Sequence, residues 1–412
     1  MTFLPVANIL HHKLRSVLSA FGIAVGICML VVLSGLSRGS LSEVADRWES
    51  VDADLIAVPR GYDEADNDNL ITLSGLGVPD SYAAYLLREH GDLVRRACPV
   101  FLYKLNLGGQ GHMSSGIDAG DWDVVAGGKK LVAGRLPDAD GRFARWFDEN
   151  LKQSKRTGPD DEDEEDIPPE RQLVDIAANG GFEMVIDQRL ARVTKLRVGD
   201  DVTIGQHTWR VVGIAPEGVV SRIFVPRRTA QHVFGHSTLR STIQFIQLQP
   251  GVDPQAARTE LTNDYAGLIL VTDYRRKLEK QFEVMFKYVS VVNVISLAIA
   301  FLFIMNTLYT MVLQRTREIA ILRSCGASGA FIVRQVLAES LLLTLLGVAI
   351  GLAITWPAKW GIEHAAPLLT VTIGWPYIAA GVGAAVLGAM ISAFYPAYRA
   401  TRVDMVEALT LE

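Results

Sequence analysis

Four stretches of this chain carry no charged residue. They run from Ser16 to Ser37, from Tyr288 to Gln314, from Ser340 to Ala358 and from Ala365 to Tyr398. Arg15 and Arg38, Lys287 and Arg315, Glu339 and Lys359 close the first three, and Arg399 ends the fourth. At ~1.5 Å rise per residue, about 20 apolar residues cross a hydrocarbon core of ~30 Å, so each run is long enough to span a bilayer. Buried helices of soluble domains rarely exceed about 14 residues without a charge. The pattern predicts an α-helical membrane protein with four transmembrane helices, one early and three late.

The segment from Arg38 to Lys287 separates the first run from the second and is long enough to bury its own core. Strands and helices alternate along it. Asp54 to Val58 reads as a strand, Asp80 to Glu89 as a helix opened by Pro79, and Val100 to Leu107 as a strand before the Gly108-Gly109 turn. Val185-Ile186 reads as a short strand, Asp187 to Leu196 as a helix with Asp187 as N-cap, and 201–205 with 207–214 as a hairpin about Gly205-Gln206. Asp253 to Asp264 reads as helix, Leu268 to Thr272 as extended chain, and Tyr274 to Phe286 as a helix entering the second span. The expectation is a large α+β domain inserted between spans one and two. Residues 138–172 hold seven consecutive acids, Asp160 to Asp166, between Gly158-Pro159 and Pro168-Pro169. Like charges repel and bury no apolar area, which predicts a solvated, mobile acidic insert.

Charge then sets an orientation. Lys13 and Arg15 precede span one; Arg315, Arg317, Arg323 and Arg334 lie between spans two and three; Arg399 and Arg402 follow span four. Between spans three and four there is only Lys359 against Glu363. The positive-inside rule puts both termini in the cytoplasm and the large domain outside, in a multi-pass membrane chain. Run one is longer than a signal-peptide core and no Ala-x-Ala-like site closes it, so it reads as an uncleaved anchor. Cys28, Cys98 and Cys325 fall in three different environments, which argues against an intrachain disulfide.

Catalytic chemistry is not evident. Gly127-Gly128-Lys129-Lys130 lacks the first glycine and the final hydroxyl of a P-loop, so the chain supplies no nucleotide site of its own. His232 and His236 have helical spacing without an intervening Glu, which makes a poor zinc site. No catalytic, cofactor-binding or metal residues are assigned. Nothing points to nucleic acid.

Informative residues cluster between spans two and three, in Gln314 to Ser328, an amphipathic segment ending at Gly326. Ile319, Leu322 and Cys325 recur at spacings of three and read as one apolar face, with Arg317 and Glu318 elsewhere. Arg317-Glu318-Ile319, Leu322-Arg323 and Gly326-Ala327-Ser328 closely resemble the R-E-I-x-x-L-R-x-x-G-A loop of MacB/FtsX-type ABC transporter permeases. Three further regions agree in order. Asn8 to Gly26 resembles that family's basic entry helix and first span. Leu190-Ala191, Val198-Gly199-Asp200 and Val211-Val212-Gly213 resemble the end of its outer domain. Tyr395-Pro396-Ala397, Ala400 and Val406-Glu407-Ala408-Leu409 resemble its C-terminal signature. Residues 138–172 depart from the pattern, as does Asp187, where a glycine is expected.

The resemblance implies one half of a homodimer or heterodimer of permeases, served by a separately encoded ATPase that holds the ATP and magnesium. ATP-driven closure would move the spans and, through them, the outer domain, with a periplasmic adaptor or substrate protein as a further partner. Cargo would be a lipid, lipoprotein, peptide or hydrophobic compound. A regulator of a cell-wall hydrolase and a membrane-anchored sensor without ATPase are the alternatives. Carried over to the ATPase contact are Arg317, Glu318, Ile319, Leu322, Arg323, Gly326 and Ala327; Ile319 and Leu322 would fill apolar pockets, and Gly326 would end the helix. Gly22 and Gly26, like Gly347 and Gly351, are spaced for close helix packing. Glu339 reads as an interfacial carboxylate. The expected layout is an entry helix over 1–15, spans over 16–37, 288–314, 340–358 and 375–398, and the outer domain over 38–287. A coupling loop over 315–339, an outer loop over 359–374 and a tail over 399–412 complete it.

Overall fold

The computed structural model describes residues 13–59, 77–154, 176–234, 240–262, 266–314, 316–366 and 368–401. The expected entry helix (apart from its last three residues), the acidic run Asp160 to Asp166, His236 and the tail beyond Thr401 lie outside them. The chain forms two compact units, Met1–Ser40 with Glu283–Glu412, and Leu41–Phe282.

Helix α1 (Lys13–Glu49) contributes to both units. It does not stop where its uncharged run stops. Leu41, Ala45 and Trp48 keep a buried face at helical spacing, so Arg38, Glu43 and Asp46 end the apolar run without ending the helix. The inserted domain continues with β1 (Leu55–Pro59), β2 (Val78–Pro79), α2 (Ser81–Glu89), β3 (Val94–Leu107), β4 (Gln110–Ile117), α3 (Trp122–Val125) and β5 (Ala133–Gly134). Then come α4 (Arg142–Ser154), β6 (Glu183–Asp187), α5 (Gln188–Thr194), β7 (Asp201–Ile204), β8 (His207–Ala215), β9 (Ile223–Pro226) and α6 (Arg227–Phe234). It closes with β10 (Arg240–Ser241), β11 (Ile243–Leu248), α7 (Pro254–Leu261), β12 (Ala266–Leu270) and α8 (Val271–Gln281).

A ten-stranded sheet runs in the order β12-β1-β11-β3-β4-β9-β6-β8-β5, with β7 on β8. Strand β3 belongs to two lobes. Its first half pairs with β11 and its second with β4, across a two-residue turn in which Gly108 and Gly109 both have positive φ. That is the turn geometry whose twist matches paired strands. Two apolar cores follow from the division. Leu55, Val78, Leu86, Ile246 and Leu268 fill the first lobe, and Phe101, Tyr103, Met184, Trp209 and Ile223 the second. Local signals act where expected: Asp187 accepts from the Leu190 N–H at 2.6 Å to cap α5, and Asp253 from the Ala256 N–H at 3.1 Å to cap α7.

The mobile reading of 138–172 requires correction over its first part. Residues 142–154 form α4, with Phe143 buried and Trp146 and Phe147 packed on the second core. Asp138 caps it, its two carboxylate oxygens accepting from the Phe143 N–H at 2.8 Å and the Ala144 N–H at 2.9 Å.

The helical unit holds α1 up to Ser40, α9 (Glu283–Gln314), α10 (Thr316–Ser324), α11 (Gly329–Ala365) and α12 (Trp375–Thr401). Among the described residues, four helices (α1, α9, α11 and α12) are long and apolar enough to cross a membrane. Helix α1 is central: half of its apolar window is buried, against 11% for α9. Ile23, Ile27 and Val31 of α1 meet Ile304 and Leu308 of α9, Leu343 of α11, and an alanine stripe of α12, Ala385, Ala389, Ala393 and Ala397. Polar side chains are tied within the bundle. Ser19 bonds Thr307, Asn293 donates to Ser34 at 3.0 Å, and Ser340 donates to the Ala389 carbonyl at 3.2 Å.

Candidate functional site: the α10 helix

Helix α10 stands between two long helices as a separate nine-residue piece. Its inner face is sealed. Ile319 is 9% exposed and joins the apolar cluster of Val312, Ile332 and Val336, and Ala320 is fully buried beside it. Its outer face presents Glu318, Ile321 at 46% exposure and Leu322 at 38%.

The expected common face of Ile319, Leu322 and Cys325 therefore does not exist: Ile319 points in and Cys325 out. A step of three residues falls about 60° short of a full turn at 3.6 residues per turn, so two steps rotate the side chain by ~120°. Ile319 packs on Val312, Ile332 and Val336 of this chain and also lines the groove beside α10. Sequence reading passed over Ile321, which takes its place outside.

The helix ends in a complete Schellman motif. The Ala327 N–H donates to the Leu322 carbonyl and the Gly326 N–H to the Arg323 carbonyl, each at 3.0 Å. Gly326 has φ +94°, a left-handed conformation that costs a side-chain-bearing residue about 1–2 kcal/mol. Two residues later Ser328 caps α11, its hydroxyl accepting from the Phe331 N–H at 3.3 Å. Arg317 is exposed and Arg323 half-buried. Beside the helix lies a groove of about 70 Å³, lined by Met311, Glu318, Leu322, Phe331 and Glu339 among others. Glu339, within α11, is only 4% exposed.

The four spaced glycines make contacts within the chain. A Cβ on Gly22 would lie 3.1 Å from the Phe303 ring, and one on Gly26 3.3 Å from Ala300 Cβ, both on α9. A Cβ on Gly347 would lie 2.6 Å from Ile23 Cβ, and one on Gly351 2.7 Å from the Ala24 carbonyl oxygen, both on α1. A third pair, Gly35 and Gly39, went unread in the sequence. The segment Thr370–Thr372 crosses it, with the Thr372 N–H donating to the Gly35 carbonyl at 3.1 Å. Its signal was present as a third G-x-x-x-G, half of it beyond the uncharged run.

Comparison with known proteins now bears on these features. Residues 16–264 match the MacB-like periplasmic core domain, and residues 290–405 match the FtsX-like permease C-terminal domain. The chain belongs to the MacB/FtsX-type permease family. It is 24% identical to a macrolide export ATP-binding/permease protein MacB of Haemophilus ducreyi, covering 100% of this chain and 56% of that protein. A MacB of Burkholderia lata is 25% identical over 97% of this chain and 56% of its own length. The permease thus spans little more than half the length of these curated relatives. It is 22% identical to the uncharacterized ABC transporter permease YknZ of Bacillus subtilis, over 99% of this chain and 98% of that one. A crystal structure of the periplasmic region of MacB from Actinobacillus actinomycetemcomitans matches 56% of the chain and 94% of its own, at 14% identity and a TM-score of 0.36.

The inserted domain of this permease also holds a polar cavity of about 280 Å³, lined in part by Asp118, Asp138, Asp140, Arg227 and Arg228. Its arginines are committed within the chain. Arg227 bonds Asp80 at 2.5 Å and Asp118 at 2.6 Å, and Arg228 bonds Asp80 at 2.8 Å and Asp148 at 3.1 Å. Asp80 also accepts from Ser241 at 2.6 Å and from Gln231 at 3.0 Å. Burial opposes its ionisation, but Arg227, Ser241, Gln231 and Arg228 outweigh that and hold its carboxyl below the usual value. This cluster knits α2 to α6.

Proposed function

We propose that this permease is the transmembrane subunit of an ABC transporter, receiving the stroke of a separate ATPase at α10 and passing it to the inserted domain. One observation carries the reading. A short helix is anchored in the bundle by Ile319 and Ala320, stopped by a Schellman turn, and presents Glu318, Ile321 and Leu322 outward. A rigid amphipathic knob of this kind suits docking into a partner's groove, where the apolar pair fills pockets and the carboxylate makes charge-assisted hydrogen bonds. Arg317 and Arg323 flank it, and the distribution of Lys and Arg supports a cytoplasmic position for α10 and both termini. The inserted domain then lies outside the inner membrane, acting on a lipid, lipoprotein, peptide or hydrophobic cargo. Two such permeases complete the unit.

Co-purification tests the proposal. The wild-type permease co-elutes with a soluble P-loop ATPase, and Glu318→Arg or Leu322→Asp abolishes this while membrane insertion persists. Retained ATPase in both variants refutes the assignment of α10. Ile319→Asp is a contrasting control: it lowers the abundance of the permease itself, because its side chain belongs to the bundle core.

A further inference from the structure

The last turns of α1 lie inside the inserted domain and grip its two lobes by different chemistry. Toward the second lobe the grip is ionic. Glu43 accepts from Arg47 at 2.6 Å, from Arg222 at 3.1 Å and from Arg189 at 3.3 Å. Asp187, fully buried, accepts from Arg222 at 3.1 Å and lies 3.7 Å from Arg47. Arg47 also reaches the Val219 carbonyl at 3.4 Å, and Ser50 donates to the Gly218 carbonyl at 2.9 Å. One carboxylate of α1 therefore holds both the start of α5 and the loop entering β9. Toward the first lobe the grip is largely aromatic. Trp48 stacks on Tyr274 at 4.4 Å between ring centroids and lies 5.8 Å from Phe245, while Arg275 of α8 bonds Asp46 at 2.6 Å and Glu49 at 2.8 Å.

We propose that Glu43 is a positioning residue that makes the second lobe follow α1, so that displacement of this helix changes the arrangement of the two lobes. Three guanidiniums converge on two carboxylates, and Arg forks are directional, so the cluster transmits a shift as a rigid body instead of yielding to it. Removing the Glu43 charge takes away the carboxylate that Arg47, Arg189 and Arg222 share, and leaves Asp187 with Arg222 and Arg47. The second lobe is then loosened, held to α1 by the Arg47 and Ser50 contacts, while Trp48 still carries the first. This inference rests on the coupling role proposed for α10.

The test uses the full permease with its ATPase in nanodiscs, with Cys28 and Cys325 replaced by Ser. Nitroxides at exposed Leu87 (first lobe) and Val193 (second lobe) report the distance between lobes by pulsed electron spin resonance. The expected result is a shifted distribution when vanadate traps the nucleotide in wild type. In Glu43→Gln the shift is lost while ATP hydrolysis stays within about twofold, and Glu43→Asp, which keeps the charge, recovers it. A full shift in Glu43→Gln overturns the inference, as does a wild type that hydrolyses ATP with static lobes. Loss of abundance together with a broadened nucleotide-free distribution in Glu43→Gln assigns the residue a purely structural role and also overturns it. Failure of the wild type to bind any ATPase is read separately by co-elution and removes the coupling role along with the latch.

Discussion

Gly351→Ala probes a close packing of backbone against backbone in the bundle. The added Cβ would sit 2.7 Å from the carbonyl oxygen and 3.0 Å from the Cα of Ala24, and 3.1 Å from Ile27 Cβ. The first two are backbone atoms of α1, which have no rotamer through which to retreat. Carbon pairs are content at about 3.5–4.0 Å, so α1 and α11 must part by roughly 0.5–1 Å, forfeiting a quarter to a half of the contact energy along that seam. Overpacking of this kind costs about 1–3 kcal/mol. Alanine also helps any helix by about 1 kcal/mol relative to glycine, which would mask part of the loss. Gly361→Ala, in the same helix with nothing within 4 Å of its would-be Cβ, carries that gain alone. The difference between the two variants isolates packing at about 1–3 kcal/mol. Unfolding of the purified permease in mixed micelles titrated with dodecyl sulfate, followed by helix content, measures it. Equal midpoints for the two variants would refute the described contact between α1 and α11.

Gly326→Val forces a β-branched side chain into φ +94°, so the Schellman turn loosens at a cost of about 1–2 kcal/mol; ATPase co-elution weakens while the unfolding midpoint of the bundle holds. Asp80→Asn removes the charge that pairs Arg227 and Arg228 and lowers stability of the inserted domain by about 3–5 kcal/mol in denaturant titration. Because the folded state holds Asp80 below its unfolded value, its contribution is complete above about pH 4 and fades as pH falls through the lowered folded value. Wild type therefore loses stability more steeply than Asp80→Asn below about pH 4, as read by tryptophan fluorescence, and parallel acid curves would exclude the pairing. Cys98 is buried, and that burial, with Asp121 alongside, pushes its thiol well above the usual value, whereas Cys325 is exposed. Maleimide labels Cys325 in the native permease in detergent and Cys98 only after denaturation; native labelling of Cys98 would contradict the β3 packing.

Much of the architecture is legible because uncharged length is a direct demand of the bilayer. The runs beginning at Ser16, Tyr288 and Ser340 all lie inside long helices. Their ends are less legible, since lipid dictates where charge is excluded and hydrogen bonding dictates where a helix stops. Helix α1 runs on past Arg38, and α11 begins at Gly329, ahead of Glu339. In 138–172 the acidic run dominated the composition and hid Phe143, Trp146 and Phe147, whose spacing of three and four is a helical face. At α10 the residue types predict an amphipathic helix, which the structure has, but a spacing of three drifts around it and does not mark one face. Only the fold tells which of Ile319, Ile321 and Leu322 faces inward.

The two routes from the helical unit into the inserted domain differ in a way that bears on the proposed stroke. Helix α9 is preceded by a break at Phe282, where α8 ends and the cap N–H turns back to the Leu278 carbonyl. Most of its apolar window faces outward. Helix α1 has no break between Lys13 and Glu49, and glycine contacts bind it to α9 on one side and α11 on the other. Beyond Ser40 it is held by Glu43, Arg47 and Trp48. An unbroken helix carries displacement along its axis through its own ladder of hydrogen bonds, whereas a break absorbs it as a change of angle. Continuity and grip thus coincide on the same helix, which is why Glu43, and no residue of α9, is where uncoupling is expected.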